Sequence, residues 1–423
     1  MQKGRHNFVT SQSEMRLFLA ILFNSGYAPL PRRRLYWEPL PDVQNTAMSK
    51  AITRNRFAEL MANVHVANND SLPPDDRMAK VRPLFTALNS KFVTHFPRHQ
   101  HLSIDESMVP YYGKHGAKQF IRGKPIRFGY KVWSINSSLG YCVQLDPYQG
   151  AGTSIPELGL GGSVVVKLAS VLPLDNYVLY FDNFFTSLRL LHHLSVNGVK
   201  ATGTVRANRI EDCPVMTVDQ IKKLPRGTSD HRIDSVSNIL VARWHDNSVV
   251  TLASNCHGDE PTGTVKQWSS AEKRRVELVQ PYLIGEYNKY MGGVDWMDQN
   301  IATYRISIRS KKWWWPLLPT CWTSRCRMPG SSTGTPRQHV VVHWTSWSSD
   351  AMSARRTTHA TVSSARLSVV QLVVQRAWMS EPQTNSEQTT LITSSSPFQH
   401  SVVVQSVESK WRNSVLSATL DYI

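Results

Sequence analysis

The sequence predicts an α+β protein: a mixed sheet flanked by helices, with a helical segment before it and a β-containing insertion within it. Three observations carry this. Apolar residues recur at helical spacing through residues 1–100, strand and helix patterns alternate from 101 to 205, and a hairpin pattern fills 206–283 before helical spacing resumes. At roughly 100–200 residues per domain, 423 residues allow about two to four domains. The boundaries expected are 1–100 (helical), 101–205 (first part of the core), 206–283 (insertion), 284–315 (second part of the core) and 316–423 (a tail of different composition).

In chain order, Ser11-Gln12-Ser13-Glu14 has the form of a capping box, in which serine and glutamate side chains satisfy each other's backbone amides. The helix it opens, Met15 to Phe23, is apolar nearly all round and so is expected inside the fold, with Gly26 placed to end it. Further helices are predicted over Arg56–Val66 and around Leu84, Leu88 and Phe92, which lie four apart on one face. A strand through Leu102-Ser103-Ile104 leads into Asp105. Phe128–Trp133 and Tyr141–Leu145 form a hairpin across Asn136–Gly140. Tyr177–Phe181 is a short continuous apolar run, as in a strand covered on both faces. A helix on Leu188, Leu191 and Leu194, capped by Gly198, and a strand over Ala201–Val205 complete a βαβ unit with the usual right-handed crossover. In the insertion, Ile239–Trp244 and Val249–Ala253 turn at Asp246-Asn247. Helix returns after Pro281 and carries Asp295 and Asp298.

Composition narrows the function. No apolar run reaches the roughly 18–20 residues of a membrane span, the N-terminus has no secretory pattern, and no membrane partner is expected. Five scattered cysteines (Cys142, Cys213, Cys256, Cys321 and Cys326) argue for a reducing compartment rather than a disulfide framework. A net charge of +17 suits a polyanionic partner or a solvated basic surface. Asp105 and Asp182 end predicted strands, while Asp295 and Asp298 share one helix face. Such carboxylates can converge on Mg²⁺, which takes hard oxygen ligands, or serve singly as turn, cap and surface residues. His192-His193 reads as packing and surface rather than a metal pair, and Trp313–Trp315 as a core anchor rather than a base-stacking platform. Arg32-Arg33-Arg34 fits a phosphate clamp, a localisation signal or a solvated loop, and the sequence favours neither functional reading.

Local wording resolves part of this. Leu102-Ser103-Ile104-Asp105-Glu106-Ser107-Met108-Val109-Pro110 with Ile121-Arg122-Gly123-Lys124-Pro125-Ile126-Arg127-Phe128-Gly129-Tyr130-Lys131 resembles the first catalytic block of piggyBac-type transposases. Leu158-Gly159-Leu160-Gly161-Gly162, Tyr180–Ser187 and Ala201–Arg206 are similar to the second block, and Tyr287-Asn288 through Gly292-Gly293-Val294-Asp295 to Asp298-Gln299 to the third. Arg54-Asn55-Arg56-Phe57 and Asp76-Arg77 to Arg82-Pro83-Leu84 resemble the upstream helical domain. The motifs run in order over residues 10–316.

The resemblance implies a ribonuclease-H-like core in which Asp105, Asp182 and Asp295 hold two Mg²⁺ (or Mn²⁺) ions, with Asp298 a fourth carboxylate nearby. It implies a helical dimerisation and DNA-binding domain, hence a homodimer, and cut-and-paste transposition of double-stranded DNA at TTAA targets in the nucleus. Arg122, Lys124, Arg127 and Lys131 near the first acid, and Arg305, Arg309, Lys311 and Lys312 after the last, are candidate DNA contacts, set against ordinary surface charge. No zinc is expected, because the cysteine-rich C-terminal module of the family is missing, and the N-terminus starts close to the first helix. The competing reading is a domesticated, non-catalytic DNA- or chromatin-binding protein. A non-functional product of a degraded element is the third.

After Pro316 the family wording stops, Lys410 is the last lysine and the only one beyond Lys312, and no period holds. The family continues here with an apolar helix of the type LLDVAVQNAW. Thr320–Ser331 can be encoded so that the frame beginning at the third base of the Thr320 codon reads LLDVAVQNAWI, and the invariant Trp322 and Met328 codons agree with it. The tail therefore reads as translated out of frame, without a selected pattern and so without a packed fold. It also predicts impaired catalysis, since the missing helix leaves apolar surface uncovered. Sequencing the coding DNA across Trp315–Gly330 is expected to show one insertion, deletion or displaced intron boundary whose repair restores that helix. A continuous frame with no such repair marks the tail as a genuine one.

Overall fold

The computed structural model describes residues 8–150, 155–173, 176–270 and 272–326, with side chains as far as Cys321. The predicted disorder of the tail lies outside the described residues from 327 onward.

The first part is helical: α1 (Gln12–Tyr27), a 3₁₀ turn (Arg33–Trp37), α2 (Thr46–Ala51), α3 (Arg54–Asn63) and α4 (Arg82–Thr94). The Ser11–Glu14 capping box forms as predicted. Gly26, however, does not end α1. The helix runs one residue further, and a Cβ at Gly26 would lie 2.4 Å from the Tyr304 carbonyl oxygen, so glycine is needed for the close approach of a distant segment.

The sheet then begins with β1 (His101–Pro110), β2 (Gln119–Phe120), β3 (Phe128–Ser137) and β4 (Cys142–Pro147). It continues through α5 (Gly159–Ala169), β5 (Val178–Phe181), α6 (Leu188–Val196) and β6 (Lys200–Thr204). Gly198 follows α6 with φ of +72°, the left-handed cap its position predicts. Strand β1 pairs antiparallel with β3 and parallel with β5, and β5 pairs parallel with β6.

The insertion holds α7 (Val218–Ile221), β7 (Ser229–Ile233), β8 (Leu240–His245), β9 (Val249–Ser254), and a hairpin of β10 (Gly263–Ser269) and β11 (Arg274–Gln280). It is less separate than its sequence suggests. β9 pairs with β6, so among the described residues β7 to β9 extend the main sheet to nine strands, in the order β2-β3-β1-β5-β6-β9-β8-β7 with β4 beside β3. Edge pairing of this kind satisfies the backbone groups of β6 and leaves no periodic mark in the sequence.

Helices α8 (Tyr282–Tyr290), α9 (Gly293–Thr303) and α10 (Leu317–Cys326) complete the chain. Helix α10 carries the fold a short way past Pro316, where the family wording stops: Leu317, Leu318 and Cys321 are fully buried in the core that also holds Phe18, Leu88, Met297 and Trp315. Three apolar side chains on one face suffice to dock a short helix whatever the rest of its sequence. One face of the sheet thus packs against the N-terminal helices, α9 and α10, and the other against α5 and α6.

Gly26→Ala is expected to destabilise the protein by about 1–3 kcal/mol, because the new methyl meets backbone that cannot move aside and this outweighs the gain in helix propensity. Urea unfolding of the two proteins measures it; an unchanged or raised midpoint would show that α1 does not bear on the 304–305 segment.

Candidate active site

The parallel pairing of β1 with β5 ends at Ile104 opposite Phe181. The next residue on each chain is an aspartate, so register alone brings Asp105 and Asp182 side by side. Ile104 and Phe181 both point into the core on the α5/α6 side, and alternation turns the two carboxylates to the other face. Asp105 is not at a strand end, as its sequence context suggests. β1 continues to Pro110 against β3, and only the pairing with β5 stops. Each carboxylate is oriented by a local amide: Glu106 N–H donates to Asp105 Oδ1 (2.7 Å) and Phe184 N–H to Asp182 Oδ1 (2.9 Å).

Helix α9 crosses that face. It starts close against the sheet, since a Cβ at Gly293 would meet the Ser137 carbonyl oxygen at 2.2 Å and Ser103 Oγ at 2.6 Å. Val294, Met297 and Ile301 are buried, while Asp295 in its first turn is exposed. One turn on, Asp298 accepts a hydrogen bond from Ser107 Oγ on β1 (2.5 Å). The turn between β2 and β3 brings in Lys124, whose Nζ lies 3.3 Å from Glu106 Oε1.

The electrostatics join these groups into one site. Burial, with added repulsion from Glu106 and Asp182, pushes Asp105 up to about 7 from an ordinary 3.8. Burial likewise raises Asp182, with Glu106 adding to it, against the opposing amide of Phe184 and the charges of Lys124 and Arg206. Asp298 is pushed up to about 6 by burial and by Asp295, against the pull of Ser107, Lys124 and Arg305. Burial works against the charge on Lys124, but Asp105, Glu106 and Asp295 outweigh it and raise its pKa. One ammonium thus senses carboxylates from β1 and α9 and acts on those of β5 and α9.

All four donors are hard carboxylate oxygens, the chemistry a Mg²⁺ or Mn²⁺ ion requires. The raised pKa values of Asp105, Asp182 and Asp298 mark negative charge that the protein itself does not neutralise. Among the described residues no group of three or more His, Cys, Asp or Glu side chains closes into a metal-binding cluster. The donor set therefore fits a divalent cation in kind, with its side chains open rather than gathered.

The eight candidate DNA contacts divide. Arg122, Arg127, Arg309 and Lys311 are exposed. The other four also have partners within the fold. Lys124 sits among the acids. Lys131 pairs with Glu106 (3.6 Å) and lies over the Trp133 ring at 3.7 Å. Burial lowers the pKa of Arg305, which faces Asp298. Lys312 Nζ donates to the Val64 carbonyl (2.6 Å) and is pushed down to about 8 by burial. Trp314 and Trp315 are core residues, as read, and Trp313 stacks on His115 (3.9 Å). His192 is exposed on α6 and His193 part-buried, also as read.

Two residues escaped the sequence reading of the site. Glu106 is the hub that Lys124 and Lys131 share, and the Asp-Glu pair in β1 is the signal that could have found it. Tyr287 on α8 is pushed up to about 12, by burial first and by Asp182 and Asp105 after it, so it too borders the site.

Comparison with known proteins bears on the family and the fold. The family model described as Transposase IS4 matches residues 1–322, beyond both ends of the 10–316 stretch that carries the motifs. Over 324 residues the chain is 47% identical to PiggyBac transposable element-derived protein 3 of Homo sapiens, covering 75% of this chain and 54% of that protein. It is 43% identical over 318 residues to PiggyBac transposable element-derived protein 2 of Homo sapiens, covering 74% and 54%. The chain spans about half the length of the curated relatives it matches. Its fold is similar to that of a piggyBac transposase solved by cryo-electron microscopy in a synaptic complex with hairpin DNA, at a TM-score of 0.62 and 22% identity over 76% of this chain and 68% of that one. With a family match over three quarters of its length, a shared fold and two relatives above 40% identity, this chain belongs to the piggyBac transposase family.

Proposed function

We propose that this chain is a transposase-derived protein whose ribonuclease-H-like core cleaves and transfers strands of double-stranded DNA, with Asp105, Asp182 and Asp295 as catalytic carboxylates. The observation that carries the reading is the register of β1 against β5, which sets Asp105 beside Asp182 on the face crossed by α9. Asp105, Asp182 and Asp295 would hold the divalent cations, two by the family's pattern, with Asp298 in support. A divalent cation bound there supplies Lewis-acid activation of a water or 3′-hydroxyl and offsets charge on the departing oxygen. The protein's own part is to orient. The Glu106 and Phe184 amides fix one oxygen of each β-strand acid, Ser107 fixes Asp298, and Glu106 holds Lys124 at the rim. Arg122, Arg127, Arg309 and Lys311 would neutralise backbone phosphates without reading bases. Transposon ends and TTAA targets as substrates, a homodimeric state and a nuclear location belong to the same proposal.

A second reading, a domesticated protein that binds DNA or chromatin without cleaving it, is favoured by one observation: the acids do not close into a three-group cluster among the described residues.

A nicking assay on duplex DNA with Mg²⁺ or Mn²⁺ separates the two. Asp182→Ala is expected to cut strand cleavage by about 10³-fold or more. Equal signal from the variant and the unaltered chain would remove the enzyme reading.

The crowded acids also set a pH dependence. A carboxyl whose folded pKa lies above its unfolded value binds more protons when folded, so its contribution favours the fold at low pH and is lost as pH rises through the folded value. For Asp105 and Asp298 that window runs from about 3.8 to about 7 and about 6. Asp105→Asn is therefore expected to stabilise the metal-free protein at pH 8 by on the order of 1 kcal/mol, with little gain at pH 4. Mg²⁺ should raise the melting temperature of the unaltered chain and not of Asp105→Asn. A variant that is less stable at pH 8, or equally responsive to Mg²⁺, would exclude Asp105 from the metal site.

A further inference from the structure

The arginine run at 32–34 finds a place in the fold that its sequence leaves open. The 3₁₀ turn carrying Arg33 and Arg34 is pinned on both sides. The buried Tyr36 hydroxyl donates to the Ala28 carbonyl (2.9 Å) and accepts from the Leu30 amide (3.0 Å). Trp37 Nε1 donates to the Ile52 carbonyl (2.8 Å), and the Trp37 ring packs on Phe57 at 5.1 Å. The turn is thereby laid against the start of α3, and between them opens a cavity of about 130 Å³ lined by Arg33, Arg34, Trp37, Arg54 and Asn55 among others. None of its lining residues is acidic.

Arg33, Arg34 and Arg54 are exposed, and among the described residues their guanidinium groups have no ion-pair or hydrogen-bond partner. The acids nearest along α1 and α3 are already spent on Arg56, which holds Glu14 at 2.7 Å and Glu59 at 3.1 Å. Three positive charges thus converge, with no ion pair among the described residues, on a concave surface with a rigid wall. Guanidinium forks match the paired oxygens of a phosphate, and a turn pinned by three internal hydrogen bonds presents them with little ordering left to do.

We propose that this cavity is a phosphodiester-binding site, separate from the acidic one, that grips the backbone of bound DNA regardless of sequence. The proposal rests on the DNA reading above and adds Arg33, Arg34 and Arg54 as its named contacts. Arg32, exposed on the same run but outside the cavity, has no part in it.

Fluorescence anisotropy with a labelled duplex of arbitrary sequence, without divalent metal and over a range of salt, tests it on the full chain. Combined replacement Arg33→Gln, Arg34→Gln and Arg54→Gln is expected to weaken binding at least about tenfold and to flatten the plot of log affinity against log salt by about 2 to 3 units, one counterion per lost contact. Arg32→Gln is expected to leave the slope within error of the unaltered chain. Thermal unfolding of the triple variant should match the unaltered chain, because the three side chains are exposed. Unchanged affinity and slope in the triple variant, or an equal loss per charge from Arg32→Gln, would overturn the site and point to the general basic field instead. If the unaltered chain binds no duplex, the DNA reading fails and the proposal with it. Binding lost only on replacing the arginines leaves the acidic site to be judged by cleavage with Asp182→Ala.

Discussion

Carboxylates leave water at a cost, and two of them leaving it side by side pay twice, through desolvation and through mutual repulsion. The sheet imposes that arrangement on Asp105 and Asp182: parallel register fixes one as soon as the other is fixed. Nothing else in the site is as constrained. α9 adds Asp298 to the same face by packing Val294, Met297 and Ile301 into the core, so the burial that stabilises the helix also desolvates a third acid. Apolar packing here supports the position of groups that, alone, would prefer to be apart.

Lys124 shows how the charge is managed. Its ammonium is bound at Glu106 and feels the carboxylates of β1 and α9, so part of the acidic field is answered by a cation the chain carries itself. Glu106 plays the complementary part by holding Lys124 and Lys131 together, and Lys131 is further fixed over two aromatic rings. The basic residues around the acids are thus divided between internal partners and the surface, a division that net charge cannot express. The same contrast recurs in the helical segment, where Arg56 pairs with Glu14 and Glu59 while Arg33, Arg34 and Arg54 line a cavity without acidic residues.

Most of the individual elements were legible along the chain because they rest on local rules. A capping box, a left-handed glycine after α6, an apolar run bounded by turns, and leucines four apart each depend on neighbours within a few residues. The acids of the site were legible too, through the wording around Asp105, Asp182 and Asp295. Hidden from the sequence were contacts between remote segments. Gly26 looks like a helix stop and is instead a gap for the backbone at Tyr304. The insertion looks detached and joins the sheet at β6. Leu317, Leu318 and Cys321 look like the start of an unpatterned tail and are buried where α10 packs on α9 and α4.

The sequence by itself determined which side chains can do chemistry and which local shape each segment takes, because propensity, capping and alternation act within a turn or two of each residue. Only the tertiary structure decided that β1 and β5 lie parallel with two aspartates level. It alone placed Lys131, Arg305 and Lys312 among internal partners and three separate arginines around one cavity. Those outcomes depend on burial and distance between segments far apart in the chain, which no local pattern encodes.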